Sequence, residues 1–303
     1  MLQITADIFS GRPNPTWVVG DETEARATLR ELVRDRSLLT ESGPALGDLG
    51  FRGFRIEPLS DELAQDFQLG PSLYLPMGAG AQGSRRSELA ERLIGLMEGG
   101  EAPADAPANA LPLDTPLREF LTTQLESQSR VSMADEAAAP PPEDSADAAV
   151  SCTIELGAYN PGWWNADASI RQRNNCYNYA TNKRTDTFAQ PGRGCGRMYT
   201  AITCPEMTRA ALCDGLHRRF VCFPDSEKPR YLVALVVAPG PGFVDFHWYR
   251  KQKEGFWGHK PGGTAVRNVD NSGRVITDPQ TCNRGPYTQF CGYFYTCRSQ
   301  KIK

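Results

Sequence analysis

A cysteine behind two asparagines is the first group in this chain with the type and setting for nucleophilic chemistry. Cys176 stands in the segment RQRNNCYNYATN, residues 171–182. An Asn pair before a run without proline or glycine is typical of a helix N-cap, so the sequence predicts Cys176 in the first turn of a helix. The positive end of the helix dipole would lower the pKa of the thiol there. The alternative for Cys176 is a structural or disulfide-bonded cysteine.

Two of the three histidines are spaced so that they can serve such a thiol. His247 lies in FVDFHWYR and His259 in FWGHK, and both segments are predicted to be neighbouring strands of one hairpin. A thiol nucleophile needs an imidazole base and a polar group that orients the base. The sequence therefore predicts Cys176 as nucleophile, His247 as base and either His259 or Asp270 as the orienting group, with Asp245 as a further candidate.

Side chains around Cys176 are predicted to complete an active site. Asn174 and Asn175, together with the backbone N–H of Cys176, are expected to hold an oxyanion. The loops YNPGWWN and HKPGGT are expected to flank the cleft. Four tryptophans are expected to contact the substrate: Trp163, Trp164, Trp248 and Trp257. No pair of cysteines has CxxC spacing, so a zinc ribbon is not expected. We predict no metal and no cofactor.

The two halves of the chain differ in charge. Residues 1–150 hold 12 arginines, no lysine and 25 acidic residues, a net charge of −13, whereas residues 151–303 hold 21 basic and 11 acidic residues, a net charge of +10. Opposite charges favour intramolecular docking of the acidic half on the basic half. We therefore predict a small acidic α+β domain with a regulatory or targeting role at residues 1–130. The alternative is two domains that do not interact.

A linker and a second domain are predicted to follow. Residues 131–150 contain AAAPPPEDSADAA, which is poor in hydrophobic residues and carries only negative charge, and this composition predicts a flexible linker. Residues 151–303 are predicted to form a cysteine-rich, basic domain, in which the helix with Cys176 precedes the apolar strand YLVALVVAPG and further antiparallel strands. The predicted fold class of the chain is α+β.

All nine cysteines lie at or after Cys152. This density predicts four disulfides, with Cys176 as the remaining free thiol, and an oxidising, extracellular destination. The N-terminus has no basic n-region and no apolar h-region, so export would need a non-classical route; a cytosolic protein with reduced cysteines is the alternative. No run of eighteen apolar residues occurs, which excludes a transmembrane helix.

A cysteine at a helix start, then a strand histidine, then a polar residue one hairpin later resembles the papain-like amidases of the NlpC and CHAP type. The resemblance covers residues 150–300 as a pattern, and His259 matches the histidine that is often third in the NlpC type. The surround NNCYNYA differs from the D-C-S/T-G of that family. The resemblance implies a papain-like fold and hydrolysis of an amide bond in a peptide or a peptidoglycan stem peptide.

Other classes of function explain the same residues. One is a non-catalytic extracellular binding or matrix module held by disulfides. Another is nucleic-acid binding by the basic half and its aromatic residues, which we rank last, so we do not expect a nucleic-acid partner. A free thiol of low pKa at Cys176 distinguishes catalysis from the matrix module.

Overall fold

Both parts of the chain contain helices and antiparallel sheet. The structure is a computed structural model that describes residues 1–41, 43, 47–78, 83–104, 113–130, 154–218 and 224–303, without the side chains of 127–130. The chain divides into an N-terminal unit, Met1–Val131 with Gly240–Phe243, and a C-terminal unit, Ser132–Pro239 with Val244–Lys303. The α+β prediction is confirmed. The predicted linker at 131–150 lies outside the described residues.

The N-terminal unit has an antiparallel sheet with the strand order β2-β1-β3-β4. Its strands are β1 (Leu2–Asp7), β2 (Thr16–Val19), β3 (Gly53–Pro58) and β4 (Leu73–Pro76). Its helices are α1 (Glu22–Arg34), α2 (Asp61–Asp66), α3 (Ser84–Glu98) and α4 (Thr115–Arg130), with a 3-10 turn at Arg36–Leu38. Helix α1 begins where the Asp21 side chain accepts a hydrogen bond from the N–H of Glu24.

A buried ion pair lies at the end of strand β1. The Arg52 guanidinium donates to Asp7 Oδ1 at 2.6 Å and to the carbonyl of Phe9 at 2.8 Å. Tyr74 and Asn14 donate to the same carboxylate. Burial alone would raise the pKa of Asp7, but the charge and hydrogen bond of Arg52 hold this pKa below its ordinary value. The ion pair is therefore compensated and stabilises the N-terminal unit.

The C-terminal unit has a second antiparallel sheet, with the order β7-β6-β5-β8. Its strands are β5 (Leu232–Pro239), β6 (Val244–Lys251), β7 (Trp257–His259) and β8 (Gln289–Tyr295). Its helices are α5 (Pro161–Asn165), α6 (Ala168–Arg173), α7 (Cys176–Thr181) and α8 (Cys204–Cys213), with a 3-10 turn at Asp225–Glu227.

Strand β6 has two different faces. Phe246 and Trp248 belong to the hydrophobic core that β5 and β8 form with helices α7 and α8. Side chains alternate along a strand, so Asp245, His247 and Tyr249 point to the other face of the sheet. All three are fully buried. The second face is therefore a buried polar layer.

Two disulfides hold helix α8 at its two ends. Cys213 is bonded to Cys195 in the preceding loop, and Cys204 is bonded to Cys291 in strand β8, with Cα–Cα distances of 5.9 and 5.1 Å. Cys204 and Cys213 are the first and last residues of the helix, so they are two and a half turns apart and lie on opposite sides of it. The bridges therefore leave α8 in opposite directions and join it to two different segments.

The number of disulfides differs from the prediction. Cys176, Cys282 and Cys297 are free thiols. Cys152 and Cys222 lie outside the described residues. Three free thiols among nine cysteines leave too few for four bridges, so that prediction was wrong.

Candidate functional site

Cys176 is the first residue of helix α7, directly after an asparagine cap. The Oδ1 of Asn175 accepts hydrogen bonds from the N–H groups of Tyr177 and Asn178, and the Oδ1 of Asn178 accepts from the N–H of Asn175 at 3.1 Å. This reciprocal capping box fixes the entry of the helix. The Cys176 side chain is fully buried, and its sulfur lies 3.9 Å from the carbonyl oxygen of Phe246 in β6.

The environment of Cys176 favours a protonated thiol. Burial raises the pKa of Cys176 well above its ordinary value, and the charge of Asp245 raises it further. Lys260 and the N–H groups of Trp248 and Tyr177 act in the opposite direction but do not compensate for burial. The expected lowering of this pKa was wrong because the loss of hydration outweighs the helix dipole. Cys176 is therefore a neutral thiol at pH 7.

Two imidazoles meet on the polar face of the sheet. His247 Nε2 and His259 Nδ1 are 2.9 Å apart, and His259 Nε2 is 3.0 Å from the carbonyl oxygen of Val269. A carbonyl only accepts, so His259 carries its proton on Nε2. Burial first, and then the charge of Arg267, lower the pKa of His259 to about 3, so this ring is neutral. His259 Nδ1 therefore accepts, and His247 donates from Nε2.

A His247 ring that carries one proton then has Nδ1 as its basic nitrogen, which is the arrangement that a general base requires. The structure thus places His247 and His259 in contact. It places Cys176 against the same strand, with its sulfur at the carbonyl of Phe246, the residue before His247. The side chain of Phe246 packs with α7, whereas His247 lies on the opposite face of β6.

Asp270 does not orient either histidine. Its Oδ1 accepts from the N–H groups of Ser272 and Arg274 at 2.8 and 3.0 Å, and its Oδ2 accepts from the N–H of Asn283 at 2.9 Å. The carboxylate shapes a turn, and the group that contacts His259 is the carbonyl of Val269. The proposal of Asp270 as the orienting group was therefore wrong.

The two asparagines predicted as oxyanion donors have other partners. The Nδ2 of Asn174 donates to the carbonyl of Ile170 at 2.8 Å and to Asp186 at 2.6 Å. The Nδ2 of Asn175 donates to the carbonyl of Ala189 at 2.8 Å. Both asparagines are fully buried. Their amides hold the loop after α7 in place, which corrects the predicted oxyanion role.

Three of the four tryptophans predicted to contact a substrate are core residues. Trp164, Trp248 and Trp257 are buried, and Trp248 packs against the ring of Tyr177. Their predicted role was wrong because large aromatic side chains are the main source of buried apolar area. Trp163 differs, since 41% of it is exposed.

A buried lysine that the sequence analysis missed joins the candidate site to the rest of the unit. Lys260 is fully buried, and its Nζ donates to the carbonyls of Arg171 and Asn174 at 2.5 Å and of Gly262 at 2.6 Å. It holds the end of α6 beside the loop after β7. The acceptors are backbone atoms, which leave no signal in residue types.

Part of the chain is similar in sequence to a shell protein. No family model and no solved structure matches the chain. A segment of 135 residues is 49% identical to insoluble matrix shell protein 1 of Ruditapes philippinarum, and this segment covers 45% of the chain and 86% of the shell protein. The chain belongs to the family of this shell protein.

The described residues include neither a candidate metal site nor a helix that could span a membrane. Within the residues that the structure describes, no group of three or more His, Cys, Asp or Glu side chains is arranged to hold a metal ion. None of the helices described is both long and apolar enough to cross a bilayer. What this member of the shell-protein family does contain is a disulfide-held helix over a sheet with a buried polar layer.

Proposed function

We propose that the chain is a non-catalytic structural component of an insoluble extracellular matrix, with a C-terminal unit stabilised by disulfides. The observation that carries the proposal is the 49% identity to a protein named for its place in an insoluble shell matrix. Two further features support it. The candidate nucleophile Cys176 is buried with a raised pKa, and the disulfides join α8 to two separate segments.

The disulfides suit a protein that must keep its shape outside the cell. A disulfide limits the freedom of the unfolded chain and typically stabilises a domain by roughly 2–4 kcal/mol. Such bonds persist where the surroundings are oxidising.

The proposal is tested by fractionating cells that make the protein. The full chain is expected in the insoluble extracellular material and is expected to be released by denaturant. A variant in which Cys195, Cys204, Cys213 and Cys291 are all alanine is expected to be lost from that fraction, whereas Cys282→Ala is expected to behave as the native chain. Recovery of the native chain from the soluble intracellular extract would overturn the proposal.

A second candidate is the papain-like cysteine hydrolase, favoured by the tautomer of His247. In this reaction Cys176 attacks the carbonyl carbon of an amide, His247 takes the thiol proton on Nδ1 and passes it to the leaving amine, and His259 holds the ring. Water then hydrolyses the thioester and releases the acid. Because Cys176 is buried, substrate would have to displace the packing around α7. Because His247 lies on the face of β6 opposite to the one that packs with α7, the Cys176 thiol would also have to move to reach it.

Alkylation separates the two candidates. Native protein is treated with iodoacetamide at neutral pH, and the same protein in guanidinium serves as the reference. The matrix proposal expects Cys176 to be labelled only in the denaturant. Labelling of native Cys176, together with cleavage of peptidoglycan or a model peptide that Cys176→Ala and His247→Ala abolish, would establish the hydrolase instead.

A further inference from the structure

An arginine lies over an exposed tryptophan at the surface of the C-terminal unit. The guanidinium carbon of Arg184 is 3.8 Å from the ring centroid of Trp163, a cation–π contact. Trp163 is 41% exposed, whereas each of the other four tryptophans is buried. Neither the histidine pair nor the disulfides involve these two residues.

Neighbouring aromatic rings and backbone hydrogen bonds hold the Trp163 ring in place. It packs edge-on against Trp164 at 4.8 Å, and Trp164 packs against Tyr179 of α7 at 5.6 Å. The side chain of Asn160 accepts from the N–H of Trp163 at 3.3 Å, and Asn165 exchanges two hydrogen bonds with the backbone of Val266. A ligand that binds this ring therefore meets a surface that is already ordered, which lowers the entropic cost of binding.

Among the described residues, none is a direct counter-ion to the charge of Arg184. Arg184 forms no ion pair with any residue that the structure describes, and its buried Nε has no hydrogen-bond partner there. Burial lowers the pKa of Arg184, and Asp186 only partly opposes this. Asp186 has other contacts, since its Oδ1 accepts from Asn174 at 2.6 Å and its Oδ2 lies 4.0 Å from the exposed Arg173. An anionic ligand would supply the missing charge.

We propose that Trp163 and Arg184 form a docking surface for an acidic polysaccharide, a chain of carboxylated or sulfated sugars. This inference rests on the proposed matrix function and names the partner. A guanidinium can donate two parallel hydrogen bonds to a carboxylate or sulfate, and an indole packs against the C–H groups of a sugar ring. Each acidic sugar carries both features side by side, which a lone acidic side chain of a protein does not.

The charge of the surrounding half supports the same partner. Residues 151–303 carry a net charge of +10, so a polyanion is attracted to this half from a distance. Arg173, whose guanidinium lies 4.0 Å from Asp186, adds an exposed positive charge.

The test measures binding of the full chain to polygalacturonate and to neutral dextran by calorimetry at low and high salt. We expect binding to polygalacturonate that weakens with salt, and none to dextran. Arg184→Gln is expected to weaken binding about tenfold or more, the loss of a charge-assisted hydrogen bond. Trp163→Ala is expected to weaken binding as well. Trp163→His keeps a planar ring and replaces Trp163→Ala in the binding assay if the alanine variant unfolds.

Arg274→Gln is the matched control, since Arg274 is exposed whereas Arg184 is half-buried, and its loss changes the net charge by the same amount. Its binding is expected to equal that of the native chain. Arg184→Lys keeps the charge but not the forked donors, so it is expected to keep the salt dependence and bind less tightly. Equal binding by Arg184→Gln and native protein would overturn the proposal. So would equally tight, Arg184-dependent binding of polyglutamate or duplex DNA, which would identify a general anion surface.

The outcomes also separate this inference from the matrix function. A native chain that fractionates with the insoluble material but does not bind polygalacturonate would overturn the docking surface alone. A chain that binds polygalacturonate but remains in the soluble intracellular extract would overturn the matrix function alone.

Discussion

Removing the Cys204–Cys291 bridge is expected to destabilise the C-terminal unit more than removing the Cys195–Cys213 bridge. The two bridges close loops with sequence separations of 87 and 18 residues. The chain-entropy relation then gives stabilisations of about 4.6 and about 3.2 kcal/mol, respectively. In a unit of this size these values correspond to losses of about 9–18 °C and about 6–13 °C in Tm.

The assay is guanidinium unfolding of two double variants, Cys204→Ala with Cys291→Ala and Cys195→Ala with Cys213→Ala. Tryptophan fluorescence reports mainly on the C-terminal unit, because four of the five tryptophans lie there and only Trp17 lies in the other unit. The free-thiol variant Cys282→Ala is the control for the loss of a sulfur atom.

A larger or equal loss from the shorter loop would refute the reasoning. It would mean that native contacts around Cys195, rather than the freedom of the unfolded chain, determine the effect. An unfolding midpoint of the N-terminal unit that moves with either bridge would also contradict the assumption that the variants act only on their own unit.

Three further predictions concern single side chains. Asp7→Asn leaves Arg52 buried beside a neutral group, so we expect it to lower the free energy of unfolding in urea by about 3–5 kcal/mol. The pKa of Asp7 is lowered in the folded chain, so the contribution of the native pair is present above pH 3.8 and fades below it. The variant should lack this acid dependence. The pKa of His259 is about 3 in the folded chain against an ordinary 6.5. The free energy of unfolding should therefore fall as the pH drops from 6.5 towards 3, by up to about 1.4 kcal/mol per pH unit. His259→Gln should flatten this pH profile. Asn175→Ala removes the cap of α7 and should lower the free energy of thermal unfolding by about 1–2 kcal/mol. Asn160→Ala removes the exposed cap of α5 and should lower it by less. Equal losses from the two variants would contradict a special role for the buried capping box.

The elements that the sequence predicted well are those whose signals are local. Asp21 before an amphipathic run marks the start of α1, and the Asn pair before Cys176 marks the start of α7. The segment MTRAALCDGLHRRF, residues 207–220, is predicted from its sequence alone to be helical. Helix α8 instead ends at Cys213, because Gly215 adopts a φ of 101° that breaks the helix. The local sequence signals therefore predict where these helices begin more accurately than where helix α8 ends.

The candidate site was harder to predict because its properties depend on burial and on backbone atoms. Hairpin spacing alone indicates that His247 and His259 are neighbours. Residue types cannot show that Cys176 loses its hydration or that the carbonyl of Val269 takes the place expected for Asp270. Charge counts could not identify Arg184 either, since what distinguishes it is the stacking on Trp163.

The two bridges of α8 interleave along the chain, and this order has a consequence for a protein exposed to proteases. Cys204 lies between Cys195 and Cys213, and Cys213 lies between Cys204 and Cys291. A single backbone cut anywhere from residue 195 to residue 291 therefore separates the two partners of at least one bridge and leaves both fragments covalently joined. The cut protein would migrate as one species without reductant and as two with it, so a nicked molecule would still be retained in whatever network holds it.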